Sequence, residues 1–327
     1  MPFLLRRWRS VFRRRHAEEE ESGERDQPQK KNDADAAAAT RGGKPQKEEW
    51  AVSAEQHEAA MESLRTHGFV VLKGVVAESE VHRFREQAVA PALARAGRSL
   101  VDANTWPGGE GEMVKATELD DVHGDWYPIP LSSPDGRWPA FFESSALNGF
   151  LNYIHGGMNN WEWNDGARNG CGWIHLRYPV AETIEETRSS PGGWHIDGQS
   201  DLSSPPFYRS VVCLPLVTPI AQGGGGTALA VGSHLEVARA LNARDLRVDQ
   251  LASRLARRCD VAYATGDEGD VLVMHPFLVH SASRAMRGQP VRVSFNLATR
   301  WKAEGGSPVD DASPLGQTLS LPPPSEP

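Results

Sequence analysis

Between residues 173 and 300 the sequence alternates short apolar runs with glycine, proline and polar residues, and this pattern strongly limits the possible folds. Six runs of strand length lie at 173–178, 209–217, 227–231, 261–264, 271–275 and 291–300. Many short strands separated by turn residues are typical of β-sandwiches and barrels. Because amphipathic, helix-like segments precede them, the sequence predicts a mostly β fold with flanking helices, built on a double-sheet barrel or jelly roll.

The helical segments and one further strand complete this predicted fold. Helices are expected over about 53–67, 79–96, 144–154 and 234–258, and a strand over 69–72. Pro91 should bend the second helix, because proline lacks the N–H that the helix needs. Ser233 is the expected N-cap of the last helical region. The remaining tryptophan-rich residues of 100–170 are predicted to form long loops that wall a binding site or pack on the core.

Composition divides the chain of 327 residues into a folded domain and two tails. Residues 1–49 begin with a basic segment and continue as acidic, low-complexity sequence, and residues 303–327 are rich in proline and serine. Residues 17–49 and the whole C-terminal tail contain too few large apolar side chains to offset the entropy of ordering. Both tails are therefore predicted to be disordered. A single domain is expected over 50–302.

Charge and cysteine content exclude several classes of protein. The net charge of −8 argues against nucleic-acid binding, which requires a basic face. Three cysteines without a C-x-x-C pair argue against a disulfide framework and indicate a reducing compartment. No apolar run reaches membrane-spanning length. We therefore expect a cytoplasmic protein, or a mitochondrial one if the six arginines of residues 1–16 form a targeting signal.

His195 and Asp197 are the leading candidates for metal ligands. In an extended segment, side chains two residues apart leave the same face, so this pair can bind one ion from one side. The pair lies between two predicted strands, at a position that suits ligands on a sheet edge. A second pair of the same kind, His123 and Asp125, falls in loop-like sequence and is interpreted as a turn.

A third ligand is expected from a later strand, and three histidines are candidates. His234 follows the predicted helix cap, where a local structural role is the stronger interpretation. His275 precedes Pro276 and can be a core residue, whereas His280 follows an apolar run that can turn toward the pair. The residues alone leave His275 and His280 open.

Arg292 and Ser294 bear on the identity of the metal. Two histidines and one carboxylate form the ligand set of non-haem Fe(II) oxygenases, but the same ligands also suit catalytic zinc. Arg292 and Ser294 share one face of the predicted strand 291–300 and can together hold a carboxylate. A charge within an otherwise apolar strand favours this role over a surface ion pair, and a carboxylate co-substrate favours iron.

The order of these motifs resembles that of the phytanoyl-CoA dioxygenase family. The motifs are His195-x-Asp197 after Trp194, a glycine-rich turn before Gly232-Ser233-His234, the run Gly269-Asp270-x-x-x-x-His275-Pro276-x-x-x-His280, and Arg292, while 68–72 resembles the family's opening strand. The resemblance covers about 50–302. It implies a double-stranded β-helix, Fe(II), and 2-oxoglutarate and O2 as co-substrates, and it allows ascorbate as an auxiliary reductant.

The resemblance also implies a role for each candidate residue. His195, Asp197 and His280 match the family's catalytic metal ligands, and Arg292, assisted by Ser294, matches its 2-oxoglutarate-binding arginine. The sequence departs from the family where Ser281-Ala282-Ser283 replaces a common Gly-Ser-Gly, which concerns secondary contacts to the co-substrate.

The implied activity is hydroxylation of a C–H bond in a small-molecule substrate such as a lipid, an acyl-CoA thioester or a secondary metabolite. Related halogenases carry a small residue at the position of Asp197, so the carboxylate favours hydroxylation. Two alternatives use the same ligands: a zinc-dependent hydrolase, and a non-catalytic cupin-like binding protein.

Overall fold

The computed structural model describes the chain in nine stretches. They are 54–95, 97–106, 126–130, 140–163, 171–188, 193–197, 209–242, 248–302 and 311–319. All of them belong to one compact unit that extends from Glu49 to the end of the chain. The predicted N-terminal tail, residues 1–49, lies outside the described residues, and so do His123 and Asp125.

Antiparallel strands form the centre of the described fold. The strands are β1 (Phe69–Leu72), β2 (Trp126–Pro130), β3 (Trp161–Trp163), β4 (Cys171–Arg177), β5 (Pro179–Ala181), β6 (Arg209–Pro215), β7 (Ala228–Ala230), β8 (Val261–Tyr263), β9 (Val271–Met274), β10 (His280–Ser281), β11 (Ala285–Met286) and β12 (Arg292–Trp301). Seven of them form a large sheet in the order β1-β9-β6-β12-β4-β2, with β3 also paired to β12. The long strand β12 therefore contacts three neighbours.

A smaller antiparallel sheet, β10-β7-β8, accompanies the large one, and β11 pairs with β5 in parallel. The hydrogen bonds between the described strands do not close them into a barrel. Two antiparallel sheets with helices beside them confirm the predicted jelly-roll class. All six strands predicted from residue 173 onward are present, with no end shifted by more than two residues.

Helices pack against the large sheet. They are α1 (Ala54–His67), α2 (Glu78–Phe84), α3 (Ala90–Arg95), α4 (Ala140–Glu143), α5 (Ser145–Ile154), α6 (Ile184–Thr187), α7 (Ser233–Asn242), α8 (Val248–Ala256) and α9 (Gly316–Leu319). Phe84 of α2 meets Phe295 of β12 edge to face, with ring centroids 5.8 Å apart. Both rings are buried, and burial of each contributes about 2–3 kcal/mol to stability. No helix in the described stretches is long and apolar enough to span a membrane.

The second predicted helix is interrupted earlier in the chain than Pro91, where the bend was expected. A π-helical turn, Arg85–Val89, separates α2 from α3. Pro91 explains it, because the proline ring clashes with the carbonyl one turn earlier and widens the helix there. Ser233 is also not an N-cap. It is the first residue of α7, and its Oγ accepts a hydrogen bond from the backbone N of Val279 at 2.9 Å.

Two segments predicted as loops are strands. The tryptophan-rich region contributes β2 and β3 to the large sheet. Pro128 and Pro130 fit in β2 because it is the edge strand, where a missing N–H leaves no ladder bond unmade. The pattern of Trp161-Glu162-Trp163 is too short to be distinguished from a loop by alternation alone.

The predicted disorder of residues 303–327 is wrong for residues 311–319. This stretch contains α9, and the Leu315 side chain is completely buried. The backbone N of Leu315 donates to the carbonyl of Ile154 at 2.9 Å, and Ser313 Oγ accepts from the N of Gly316 at 3.0 Å. One well-placed leucine anchors a segment whose average composition indicates disorder.

Asp270 joins the beginning of β9 to the end of β1. Its buried carboxylate accepts hydrogen bonds from Lys73 Nζ at 2.7 Å, from Gly74 N at 2.9 Å and from Asp267 N at 2.7 Å. The Gly-Asp pair of the sequence motif is thus structural. Gly269 is required beside it, because its φ is +90° and a Cβ would lie 2.2 Å from the carbonyl oxygen of Val76.

We predict that Asp270→Ala lowers the free energy of unfolding by about 3 kcal/mol, because two backbone N–H groups and a lysine lose their buried acceptor. Chemical denaturation measures the change. Asp267→Ala is the matched control, since the Asp267 side chain is 89% exposed and lies 3.7 Å from Lys73 Nζ. Equal losses in the two variants would contradict the role assigned to Asp270.

Candidate metal centre

Two neighbouring side chains, His195 and Asp197, and a third that is distant in sequence, His280, converge at one end of the small sheet. His195, Asp197 and His280 each offer one ligand atom, and these atoms all lie within 4.8 Å of one another. The Nε2 atoms of both histidines are 3.7 Å from Asp197 Oδ1. The cluster has the spacing and the donor types that a single transition-metal ion requires.

Backbone pairing brings the two histidines together. The N–H of His195 donates to the carbonyl of His280 at 3.0 Å, and the N–H of His280 donates to the carbonyl of His195 at 2.9 Å. His280 is also paired with Leu229 of β7, so the segment 193–197 is attached to the edge of the small sheet. The intervening Ile196 is 2% exposed. An extended segment with Ile196 in the core directs the side chains on either side of it toward one site.

Hydrogen bonds fix the tautomer of both histidines. His195 Nδ1 lies 3.2 Å from the carbonyl oxygen of Gly193, and His280 Nδ1 lies 3.0 Å from that of Leu278. A carbonyl only accepts, so each Nδ1 carries the proton and donates it. Each Nε2 therefore presents a lone pair toward Asp197, which is the arrangement found in metal-bound histidines. These residues fit a metal ion.

The electrostatics of the site lower the pKa of two histidines, His195 and His175. The pKa of His195 is lowered by loss of hydration and by His280, and Asp197 acts in the opposite direction. Burial lowers the pKa of His175 well below its usual value, and Arg292 and Arg177 lower it further. Neutral imidazole is the form that binds metals, so the lowered pKa of His195 favours a metal ion over a proton at this candidate ligand.

Arg292 is a buried cation beside this cluster. It is 3% exposed, its Nη1 donates to the carbonyl of Gly225 at 3.0 Å, and its Nη2 donates to Ser294 Oγ. Its Nε is buried and has no hydrogen-bond partner among the described residues. Burial, with Arg177 nearby, lowers the pKa of Arg292 to about 9. A buried guanidinium of this kind is costly until an anion binds it, so the residue fits an anionic ligand.

Strands β4 and β12 supply further walls of the same cavity. His175 and Arg177, which alternate along β4 on one face with Trp173, both line it. The side chain of Trp173, the third residue of that face, lies outside the described residues. Asn296 also lines the cavity, and sequence reasoning missed it. Its signal was available, because Asn296 is two residues beyond Ser294 on the same face of β12.

Residues 281–283, which depart from the family pattern, have two different structural roles. Ser281 and Ala282 line the cavity, and Ser281 Oγ is buried without a hydrogen-bond partner among the described residues. Ser283 Oγ instead donates to the carbonyl of Gly226. The serine after the distal histidine therefore adds a polar atom to the site, while Ser283 fastens the glycine turn.

The two other candidate histidines lie away from the cluster. His275 is 2% exposed, and its Nε2 is 2.8 Å from Thr318 Oγ1. His234 is fully buried and its Nε2 is 2.9 Å from the carbonyl oxygen of Arg65. Their rings contact each other, with centroids 4.7 Å apart. Of the three candidates, His280 is the one that the described structure places beside His195 and Asp197.

Comparison with known proteins gives a clear family. The model of the family described as "Phytanoyl-CoA dioxygenase (PhyH)" matches residues 64–292, which is more than half of the chain. This match makes the protein a Fe(II)- and 2-oxoglutarate-dependent enzyme of the dioxygenase class. The chain belongs to the phytanoyl-CoA dioxygenase family. No curated protein sequence matches it.

Solved structures resemble the chain only distantly. The epimerase SnoN from nogalamycin biosynthesis is 16% identical, with a TM-score of 0.46 over 76% of this chain and 83% of that one. AviO1 from Streptomyces viridochromogenes Tue57 is 18% identical, with a TM-score of 0.48 over 79% and 96%. EctD from S. alaskensis, solved with 2-oxoglutarate and 5-hydroxyectoine, is 16% identical, with a TM-score of 0.45 over 76% of both chains. The family assignment depends on the family model.

We predict that 2-oxoglutarate, added with Mn(II) at about 100 times its Kd, raises the melting temperature by about 5 °C, because an anion that binds only the native state stabilises it. The shift should vanish in Arg292→Gln. Arg300→Gln is the control on the same strand, because Arg300 Nε pairs with Glu162 Oε1 at 2.7 Å, outside the cavity lining. A shift retained in Arg292→Gln would contradict anion binding at Arg292.

Proposed function

We propose that the protein is a hydroxylase that inserts oxygen into a C–H bond of a small-molecule substrate, with Fe(II) bound by His195, Asp197 and His280 and 2-oxoglutarate bound by Arg292. The observation that carries the proposal is the buried Nε of Arg292, which lacks a partner among the described residues, beside an open three-ligand cluster. A zinc hydrolase or a non-catalytic binding protein would use the cluster but would leave this buried cation without a function.

The three ligands bind the ion from one side. Both histidines use Nε2, because each Nδ1 proton is committed to a backbone carbonyl. Two histidines and one carboxylate leave positions on an octahedral ion for 2-oxoglutarate and O2. Iron and 2-oxoglutarate supply the oxidising chemistry when bound, with succinate and CO2 as by-products, and the protein supplies binding and orientation.

Arg292 orients 2-oxoglutarate by binding the carboxylate that is farther from the keto group. Gly225 holds Nη1 and Ser294 holds Nη2, so the guanidinium plane is fixed before an anion arrives. Pre-organisation of this kind lowers the entropic cost of binding. Leu214 and Met274 form an apolar part of the cavity lining, which limits water near the reacting atoms.

Asp197 favours hydroxylation over halogenation. A halide needs a ligand position on the metal, and the carboxylate of Asp197 occupies the third protein position within 4.8 Å of both histidine donors. The substrate classes that fit the family resemblance are lipids, acyl-CoA thioesters and secondary metabolites, and all of them present unactivated C–H bonds.

We predict that purified protein forms succinate from 2-oxoglutarate in the presence of Fe(II) and ascorbate, that EDTA stops the reaction, and that Asp197→Ala lowers the rate at least about 100-fold by removing an anionic ligand. Succinate is measured by chromatography. Asp125→Ala is the matched control, because it removes the carboxylate of the other His-x-Asp pair. Normal turnover in Asp197→Ala, or zinc retained through purification without any succinate, would refute the proposed function.

We further predict that Arg292→Ala raises the KM for 2-oxoglutarate at least about 30-fold, because loss of a buried charge partner costs 2–5 kcal/mol of binding. The initial rate of succinate formation is measured over a range of 2-oxoglutarate concentrations. A change confined to kcat would instead assign Arg292 a role in the reaction step.

A further inference from the structure

A series of buried hydrogen bonds connects the C-terminal residues to the strand that carries His280. His275 Nε2 lies 2.8 Å from Thr318 Oγ1 of α9. The backbone N of Phe277 donates to His275 Nδ1 at 3.1 Å, and the backbone N of Leu278 donates to the carbonyl of His275 at 3.0 Å. The His275 ring therefore lies between the C-terminal helix and the turn that leads to His280.

The direction of these bonds is determined by their donors. A backbone N–H only donates, so His275 Nδ1 carries a lone pair and its proton is on Nε2. That proton is donated to Thr318 Oγ1, and the Thr318 hydroxyl in turn donates to the carbonyl of Leu315 at 2.6 Å. Thr318 is 3% exposed, so water does not replace it as the acceptor. Thr318 thus favours the His275 tautomer in which Nδ1 is free to accept from Phe277 N and cap the turn.

The turn that the His275 ring caps leads directly to His280 and is itself held by hydrogen bonds. The N of Val279 donates to Ser233 Oγ at 2.9 Å, and its carbonyl accepts from the N of Ala230 at 2.9 Å. His280 then forms the backbone pair with His195. All side chains from Val271 to Ser281 are buried, and closely packed segments transmit small displacements instead of absorbing them.

The C-terminal segment is firmly anchored at a second point. Leu315 is completely buried and bonded to the end of α5 at Ile154. Thr318 is therefore held independently of His275 and acts as a fixed acceptor. Residues 311–319 lie beyond the family match, which ends at residue 292, so this contact is a feature of the present chain rather than of the family model.

We propose that Thr318 and His275 are positioning residues for the metal centre, through which the C-terminal segment sets the placement of His280. The link to metal binding rests on the proposed function, in which His280 is a ligand. The structural link from Thr318 to His280 stands on the hydrogen bonds alone, and the two are tested by separate measurements.

The test uses three variants of the full chain. Thr318→Val keeps the side-chain shape but removes the acceptor, and Thr318→Ser restores the hydroxyl. Ser313→Ala is the matched control, because it removes the Oγ that accepts from Gly316 N in the same segment and leaves the Thr318 hydroxyl beside His275 Nε2 in place. Chemical denaturation of each variant establishes that it is folded at the temperature used.

The first measurement is nitrogen-15 NMR of histidine side chains in the metal-free protein. In the wild type, we expect His275 as the Nε2–H tautomer and His195 and His280 as Nδ1–H tautomers. Thr318→Val should change the His275 tautomer ratio and shift the His280 ring resonances, whereas Thr318→Ser and Ser313→Ala should match the wild type. An Nδ1–H tautomer of His275 in the wild type overturns the proposal without any variant.

The second measurement is calorimetric titration with Mn(II). We expect Thr318→Val to bind about 3- to 10-fold more weakly than the wild type, a smaller loss than the 10- to 100-fold typical of residues that touch a ligand directly. Unchanged His280 resonances and unchanged affinity in folded Thr318→Val would overturn the proposal. A shift of His280 in a protein that binds no Mn(II) would support the structural link and refute the proposed function.

Discussion

The pair of backbone hydrogen bonds between His195 and His280 is the interaction on which the candidate metal centre depends. A His-x-Asp pair offers two ligands, and alone it binds an ion weakly. The antiparallel pairing adds a third ligand from a strand far away in sequence and holds all three at fixed spacing. Ile196 secures one partner in the core, and β7 secures the other, so the site inherits the rigidity of the small sheet.

The buried charge of Arg292 links the large sheet to the same chemistry. Strand β12 lies between β4 and β6, and its first residue is a cation that the described chain leaves partly unsatisfied. Such a residue destabilises the unliganded fold, and a bound carboxylate removes that cost. The proposed binding of 2-oxoglutarate by Arg292 would therefore couple co-substrate binding to fold stability through one side chain, to which the carbonyl of Gly225 is hydrogen-bonded.

Much of this arrangement was predictable from local patterns. Alternating apolar residues gave the main strands, and the His-x-Asp spacing with Arg292 and Ser294 gave the candidate ligands and anion site. The residues alone left His275 and His280 open, because both lie in one apolar run and their difference depends on partners elsewhere in the chain. Strands β2 and β3 and the ordered segment 311–319 escaped prediction for the same reason, since composition and periodicity carry no information about distant contacts.

His275 and His280 show how neighbouring backbone groups give two histidine side chains opposite hydrogen-bonding properties. At His280 the carbonyl of Leu278 takes the Nδ1 proton, which leaves Nε2 available to a metal. At His275 the N–H of Phe277 occupies Nδ1 and Thr318 accepts the Nε2 proton, so no lone pair remains for an ion. A metal at His275 would require at least one of these buried bonds to break. The backbone turn between the two residues therefore distinguishes a candidate ligand from a structural histidine, because it presents a carbonyl to the His280 ring and an amide to the His275 ring.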